Sequence, residues 1–183
     1  MSSLPQEANY ELDIEKTRQA LQEVYDEGYR SIAVCLMHSY TFRDHEQEVG
    51  KLAKEIGFTH ISLSAELSPT IKIVPRGNSS TADAYLTPEI KRYIAGFESG
   101  FEDLRSSGCR CEFMQSDGGL VEFSGLSGLR AILSGPAGGC VGYARTAYDE
   151  QKKTPVIGFD MGGTSTDVSR YVGIYLPQYT FQY

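Results

Sequence analysis

One stretch of this chain, residues 156–169 (VIGFDMGGTSTDVS), combines the residue types that hold phosphate with the order that a strand–turn–strand requires. An apolar run leads into a carboxylate, two glycines, three hydroxyls and a second carboxylate. These residues are Asp160, Gly162, Gly163, Thr164, Ser165, Thr166 and Asp167. Glycine lets the backbone approach an anion closely, and successive backbone N–H groups in such a turn form a concave anion site. The motif therefore predicts a phosphate-binding hairpin.

Each polar group of this motif has a distinct expected role. Asp160 is the candidate catalytic residue, because a carboxylate at the end of a strand can orient an attacking water. Asp160 and Asp167 are candidate Mg²⁺ ligands, and the hydroxyls can bind phosphate or the metal. An ordinary hairpin with a Gly-Gly turn is the competing interpretation, since that dipeptide is common between two strands.

A second glycine-rich stretch, LSGPAGGCVGYARTAY at residues 133–148, directly precedes the hairpin. Its spacing predicts a helix of small residues, with Gly138 and Gly139 among those that leave one side bare. Because glycine weakens an isolated helix, we expect another backbone to pack closely against it.

The elements before these motifs alternate between helix and strand. Residues Ile14, Thr17, Leu21, Val24 and Tyr25 define a helical face that stops at Gly28, and residues 31–37 read as a strand buried on both faces. A second helix, capped by Thr41 or Asp44 and closed by Gly57, leads to a strand at residues 60–64. This order predicts a parallel strand pair with a right-handed crossover.

The middle of the chain predicts a long helix. Residues 71–74 read as extended, and residues 79–104 as helix, capped by Ser79 or Ser80 and restarted at Pro88. Its expected apolar core stripe consists of Tyr85, Leu86, Ile90, Tyr93, Ile94, Phe97, Phe101 and Leu104. Two short strands, at residues 110–114 and 120–123, then flank an SDGG turn.

Composition limits the function classes. A net charge of −7 argues against a nucleic-acid partner. The polar, acidic start is neither a secretory signal nor a transit peptide, and the longest apolar run is too short to span a bilayer. The four cysteines favour a reducing cytosolic setting over a disulfide framework. Cys35 and Cys140 are expected to be buried thiols. Metal binding at the Cys109-x-Cys111 pair is not favoured, because no second ligand pair lies nearby in the sequence.

Four motifs carry a family resemblance. VPRGNSSTADAYLTP, FMQSDGGL, AILSGPAGGCVGYA and VIGFDMGGTSTDVSRY occur in order and closely resemble the hydantoinase/5-oxoprolinase family over residues 32–171. HSYTFRDHEQEVG points to the ATP-dependent 5-oxoprolinase branch. The resemblance implies ATP and Mg²⁺ as cofactors and 5-oxoproline, a cyclic amide, as the substrate that is opened to glutamate. It also allows a homodimer in full-length members, and implies no membrane partner.

The same resemblance implies an α/β chain: a partial actin-like ATPase (RNase-H-like) fold, truncated at both ends. Residues 1–132 would be the end of a first lobe with a helical insertion, residues 133–150 an interlobe helix, and residues 151–183 the start of a second lobe. Asp160, Gly162, Gly163 and Thr164 would then contact the β/γ phosphates or Mg²⁺. The glycines from Gly138 onwards would let the lobes meet.

This chain departs from the family pattern, because it contains no second D-x-G-G-T run and its last residues look foreign. We therefore expect an internal piece of a larger enzyme that is inactive alone, since nucleotide turnover in this fold needs contacts from two lobes. A non-catalytic fragment or interaction module, and a hydantoinase-type member acting on another cyclic amide, remain alternatives.

Other candidate sites are weaker. His38, His45 and His60 are expected to be structural, with a metal role at the first two as the alternative. Arg76 and Asp83 flank RGNSSTAD, where helix capping is favoured and a substrate-side role remains open. Neither a P-loop nor a nucleophile-elbow motif is present in the sequence.

Overall fold

The computed structural model describes residues 11–102, 104, 108 and 110–173. Contacts divide the chain into two compact units, Met1–Pro88 and Glu89–Tyr183. Among the described residues, the first unit contains one strand pair and the second contains two, and α4 runs from the first unit into the second.

The first unit contains the predicted parallel strand pair. Its elements are α1 (Ile14–Asp26), β1 (Ser31–Val34), α2 (Asp44–Ile56), β2 (His60–Leu63), the short α3 (Ser64–Leu67) and the start of α4 (Ile73–Glu98). Ser31 lies opposite His60, and Val34 opposite Leu63. The strand β1 is shorter than predicted, and its half-exposed residues correct the expectation of burial on both faces. With β2 as its only ladder partner among the described strands, β1 has little of the sheet around it that a buried strand requires.

The ends of α1 and α2 follow the local chemistry only in part. Asp13 caps α1 by accepting a hydrogen bond from the amide of Lys16, and Gly57 ends α2 with a positive φ of 116°. The N-cap of α2 is Arg43, with no side-chain cap, so the prediction of Thr41 or Asp44 was wrong. The amide of Thr41 instead bonds to the carbonyl of His38, which makes Thr41 part of the preceding turn.

The long helix α4 begins earlier than predicted and is not interrupted. Residues 73 and 74 are helical rather than extended, and Pro75 lies in the first turn, where a missing N–H costs little. Ser79 and Ser80 do not cap it, because their hydroxyls donate to the carbonyls of Pro75 and Gly77 within the helix.

Pro88 does not restart α4. It leaves the carbonyl of Ala84 without a partner inside the helix, but Ser31 donates a hydrogen bond to that carbonyl. A proline lacks the N–H that would bond to the carbonyl four residues earlier, here that of Ala84. The hydroxyl of Ser31, at the start of β1, donates to this carbonyl at 2.5 Å. The helix therefore continues through the proline with its backbone satisfied.

The second unit carries the end of α4, two antiparallel hairpins and the glycine-rich helix. Its elements are β3 (Glu112–Met114), β4 (Leu120–Glu122), a 3₁₀ turn (Phe123–Gly125), α5 (Gly128–Ala131), α6 (Ser134–Thr146), β5 (Val156–Met161) and β6 (Thr166–Tyr171). Both predicted strand pairs and the predicted small-residue helix are confirmed. The helix α6 packs on both β5 and β6, and also touches β3.

The predicted apolar stripe of α4 is only partly in a core. Ile94 is buried and Phe97 packs edge-on against Phe113, but Tyr85 and Tyr93 are 77% and 61% exposed. None of the helices in the described ranges is long and apolar enough to cross a membrane.

Candidate functional site

The β5–β6 hairpin presents two chemically different faces. Asp160 lies opposite Asp167, and Gly158 opposite Ser169, on the face that meets α6. On the opposite face Ile157, Phe159 and Met161 are 67–72% exposed. Because side chains alternate along a strand, Asp160, Asp167 and Ser169 lie on the α6 side, whereas Thr166, opposite Met161, lies on the outer face.

The turn of the hairpin, residues 162–165, is exposed to solvent. The amide of Gly162 bonds to the carbonyl of Ser165 at 3.0 Å and closes the turn. Within the described part of the chain, the amides of Gly163, Thr164 and Ser165 donate no hydrogen bond to the protein. These three amides are therefore available to an anion.

A cleft of about 220 Å³ lies between α6 and the hairpin. Its lining residues are Pro136, Gly139, Cys140, Tyr143, Phe159, Asp160, Asp167 and Ser169. Asp160 is exposed and Asp167 is half-buried, with Asp167 accepting a hydrogen bond from the hydroxyl of Ser165 at 3.2 Å. The cleft thus holds both predicted carboxylates, and Asp160 precedes the first residue of the turn by two positions.

The glycines of α6 are not equivalent. A Cβ at Gly139 would lie 3.3 Å from Oδ2 of Asp160, so the absent side chain makes room for the carboxylate. A Cβ at Gly138 would lie 3.7 Å from the Met114 side chain, and nothing is within 4 Å of one at Gly142. Within the described residues, side chains rather than the expected backbone approach Gly138 and Gly139, and Gly142 faces open space.

Tyr143 and Gly158 form a contact that the sequence reasoning missed. A Cβ on Gly158 would overlap the ring of Tyr143, so this ring lies directly on the backbone of β5. The Tyr143 hydroxyl donates to Oγ of Ser169 on β6 at 2.7 Å, and Sγ of Cys140 is 3.2 Å away. A glycine inside an apolar strand is a known signal of close approach, and here it marked the contact.

The first unit contains a buried polar cluster that also went unrecognised. Glu46 and Arg76 are fully buried, and Oγ of Ser64 lies between them, accepting from Nε of Arg76 at 3.0 Å and donating to Oε1 of Glu46 at 2.7 Å. The Arg76 guanidinium also donates to the carbonyls of Leu36, Met37 and Thr70. Every buried side-chain polar atom of the described residues has a partner.

Hydrogen bonding decides the ionisation of Glu46. Burial acts to raise the pKa of this carboxyl, but hydrogen bonds from the hydroxyls of Ser64 and Ser39 and the amides of Ala65 and Leu36 outweigh it and lower the pKa. Glu46 is therefore charged at neutral pH, and Oγ of Ser64 links it to Arg76.

A second buried group surrounds Asp83. Oδ2 of Asp83 lies 3.1 Å from Nε2 of His60 and accepts from Ser62 Oγ at 2.8 Å, and Oδ1 accepts from Thr87 Oγ1 at 2.9 Å. Ser62 and Asp83 both contact Nε2 of His60. In a hydrolase triad the serine and the aspartate contact different nitrogens of the histidine, so this group is not a triad. His60 is held in this buried group by its contacts with Asp83 and Ser62.

The buried polar residues of α4 recur at helical spacing. They are Arg76, Ser80, Asp83 and Thr87. This pattern of four, three and four residues was the signal that could have found the cluster, since it puts all four side chains on one face. Full burial makes Arg76 and Asp83 parts of the core of the first unit.

The histidines and cysteines considered as metal ligands do not form a cluster of three or more ligands within the described residues. Within the described residues, no three His, Cys, Asp or Glu side chains come together as a metal site. Cys109 lies outside the described residues, and Cys35 and Cys140 are half-buried rather than buried.

Comparison with known proteins decides the family. The family model described as hydantoinase/oxoprolinase matches residues 76–182, and the model of the hydantoinase/oxoprolinase N-terminal region matches residues 5–57. This chain belongs to the hydantoinase/oxoprolinase family. The matches extend beyond residues 32–171 at both ends. The expectation that the last residues are foreign to the family was therefore wrong.

Relatives within the hydantoinase/oxoprolinase family are much longer. An uncharacterized protein of Schizosaccharomyces pombe is 64% identical over 169 residues, which is 90% of this chain and 13% of that protein. The 5-oxoprolinase of Saccharomyces cerevisiae is 55% identical over 159 residues, 87% of this chain and 12% of that protein. The chain thus spans about one-eighth of the length of these curated relatives.

A solved family structure has the same fold over this region. The ATP-dependent caprolactamase of Pseudomonas jessenii superposes with a TM-score of 0.70 at 27% identity, covering 88% of this chain and 24% of the caprolactamase chain. The mixed helix and sheet arrangement described above is therefore the arrangement of about a quarter of that enzyme.

Proposed function

We propose that this chain supplies the phosphate-binding hairpin of an ATP-dependent, 5-oxoprolinase-type cyclic amide hydrolase, which opens 5-oxo-L-proline to L-glutamate. The observation that carries this proposal is the exposed turn at residues 162–165, whose amides at positions 163–165 donate no hydrogen bond to the described residues and which directly follows a strand whose Asp160 lines a cleft together with Asp167. The 55% identity with a 5-oxoprolinase and the likeness to an ATP-dependent caprolactamase support the reaction class.

The proposed roles follow from the chemistry of each group. The amides of Gly163, Thr164 and Ser165 would hold phosphate oxygens, because a short run of free N–H groups attracts an anion. The hydroxyls of Thr164 and Thr166 would add hydrogen bonds. Asp160, the proposed catalytic residue, would orient the attacking water, and Gly138 and Gly139 would keep the helix surface clear of the nucleotide.

The carboxylate pair suits Mg²⁺. Magnesium in nucleotide sites is held by one or two carboxylates together with phosphate oxygens and water, so two carboxylates on paired strand positions are a sufficient protein contribution. Asp160 and Asp167 would be these ligands. The cation would supply charge neutralisation at the phosphates.

The fold and domain organisation proposed here are those of an actin-like ATPase. Residues 1–132 would belong to a first lobe, residues 133–150 to the helix between lobes, and residues 151–183 to a second lobe. The position of α6 directly before the β5–β6 hairpin supports this assignment. Three free cysteines in the described residues agree with a cytosolic location.

Calorimetric titration of the 183-residue chain with Mg-ATP tests the proposal. We expect binding that weakens at least about tenfold in Asp160→Asn, since one of the two proposed carboxylate ligands of Mg²⁺ is lost. The matched control is Glu150→Gln, which removes one charge from an exposed position of the same unit. Equal affinity in all three proteins would contradict the assigned role of Asp160, and an absence of binding to the wild-type chain would refute the proposed function.

One observation favours the interaction-module alternative. The outer face of the hairpin exposes Ile157, Phe159, Met161 and Val168, and apolar patches of this kind mark association surfaces. The same titration separates the two functions, because an interaction module has no reason to bind Mg-ATP.

A further inference from the structure

The Tyr143 side chain on α6 contacts both members of one strand pair in the hairpin. Its ring lies on the backbone at Gly158, and its hydroxyl donates to Ser169, the residue opposite Gly158. The contact therefore links α6 to both β5 and β6 at the level of Gly158 and Ser169.

The carboxylate pair lies two residues further along the same strand face. Asp160 and Asp167 follow Gly158 and precede Ser169 by two positions, so they project to the α6 side as well. Along the helix, Gly139 lies four residues before Tyr143 and therefore on the same face. Gly139 is where α6 receives the carboxylate of Asp160.

From this geometry we propose that Tyr143 is a positioning residue, which sets the distance and tilt of the Asp160–Asp167 pair relative to α6 and so preforms the cleft. The ring fixes how near β5 comes to the helix, and the hydroxyl fixes β6. A side chain at position 158 would displace the Tyr143 ring, so the positioning by Tyr143 requires glycine at position 158. This inference rests on the proposed function only for its binding readout.

The first test compares Mg-ATP affinity among three variants. Tyr143→Phe keeps the ring and removes the hydroxyl, and Ser169→Ala removes its acceptor. We expect each to weaken binding about fivefold, the effect of one lost hydrogen bond, and the double variant to be no weaker than either. Additive losses, or wild-type affinity in Tyr143→Phe, would overturn the proposal.

Tyr148→Phe is the matched control. Tyr148 also packs on the hairpin, edge-on to Tyr171 with ring centroids 4.9 Å apart, but at the end away from the carboxylates. We expect its affinity to stay within about twofold of the wild type, even where its melting temperature falls as far as that of Tyr143→Phe. An equal loss of affinity in the control would mean general destabilisation and would overturn the positioning role.

A second readout separates this inference from the proposed function. Amide hydrogen exchange in β5 and β6 of the ligand-free chain should be at least about threefold faster in Tyr143→Phe and Ser169→Ala, with the control unchanged near the carboxylates. If the wild-type chain does not bind Mg-ATP, this exchange result alone decides: faster exchange upholds the positioning role, and unchanged exchange overturns it.

Discussion

At the scale of single residues, glycines of similar sequence context have opposite physical roles. Gly158 must lack a side chain because the ring of Tyr143 occupies that space, whereas Gly142 on α6 faces open space. The local sequence places Gly158 within a strand. It does not reveal that Tyr143 covers Gly158, because that contact depends on how α6 packs.

This contrast predicts stability changes of opposite sign. Gly158→Ala should destabilise the second unit by about 2 kcal/mol, because the added methyl group overlaps a packed ring. Gly142→Ala should stabilise the chain by about 0.5–1 kcal/mol, because alanine is the better helix former. Urea unfolding of both variants measures the difference, and destabilisation of the same size in both would contradict the packing described at Gly158.

The buried carboxylate of Glu46 predicts a pH dependence. Hydrogen bonds lower its pKa in the folded chain, so its contribution to stability is complete above the ordinary value of 4.5 and is lost as pH falls through the folded value. Glu46→Gln should cost about 1–3 kcal/mol at pH 7 and flatten the acid limb of the stability curve.

Glu48→Gln provides the comparison for Glu46. Glu48 lies on the same helix and pairs with Lys51 at the surface, at 3.0 Å. Thermal melts between pH 3 and pH 7 should follow the wild type for Glu48→Gln, since an exposed ion pair contributes little. A Glu46→Gln curve as steep as that of the wild type below pH 4.5 would show that Glu46 is not the titrating group.

At the scale of elements, α4 shows how tertiary contact overrides a local signal. Pro88 alone predicts a break, but Ser31, more than fifty positions earlier, supplies the missing hydrogen bond to Ala84. No feature near Pro88 in the sequence reveals that partner.

The bond between Ser31 and Ala84 predicts an interaction that depends on Pro88. Ser31→Ala should cost about 1 kcal/mol or more, because it leaves a buried carbonyl unpaired. In a Pro88→Ala background the helix can supply its own N–H, and the same substitution should then cost much less. A double-mutant cycle by denaturant unfolding measures this coupling, and strictly additive effects would rule out the compensation.

The elements that sequence predicted best are those with local signals. The hairpin, the small-residue helix and the parallel pair each carry their own periodicity and glycine stops, and the structure confirms them. The apolar stripe of α4 was partly wrong because its inward face in the first unit is polar, with Arg76 and Asp83 buried. Burial of charged residues depends on partners on other elements, Glu46 and His60 among them, which no local pattern identifies.

At the scale of the whole molecule, length limits what the chain can do alone. The matched region is 12% of the Saccharomyces cerevisiae 5-oxoprolinase, and the part of the machinery proposed for it is one phosphate-binding hairpin. We expect the purified chain to release no glutamate from 5-oxoproline with Mg-ATP, because the proposed two-lobed ATPase fold would need both lobes to close around the nucleotide. A coupled glutamate assay measures this, and turnover above the background would contradict the expectation.

The central claim is that the turn after β5 binds the phosphates of a nucleotide, and residue-resolved NMR titration of the chain with Mg-ATP tests it most directly. The largest amide shift changes should occur at Gly163, Thr164 and Ser165, the positions whose amides are unbonded in the described structure. They should be smaller in Asp160→Asn at the same nucleotide concentration. Shift changes confined to the first unit, or none at all, would contradict the claim.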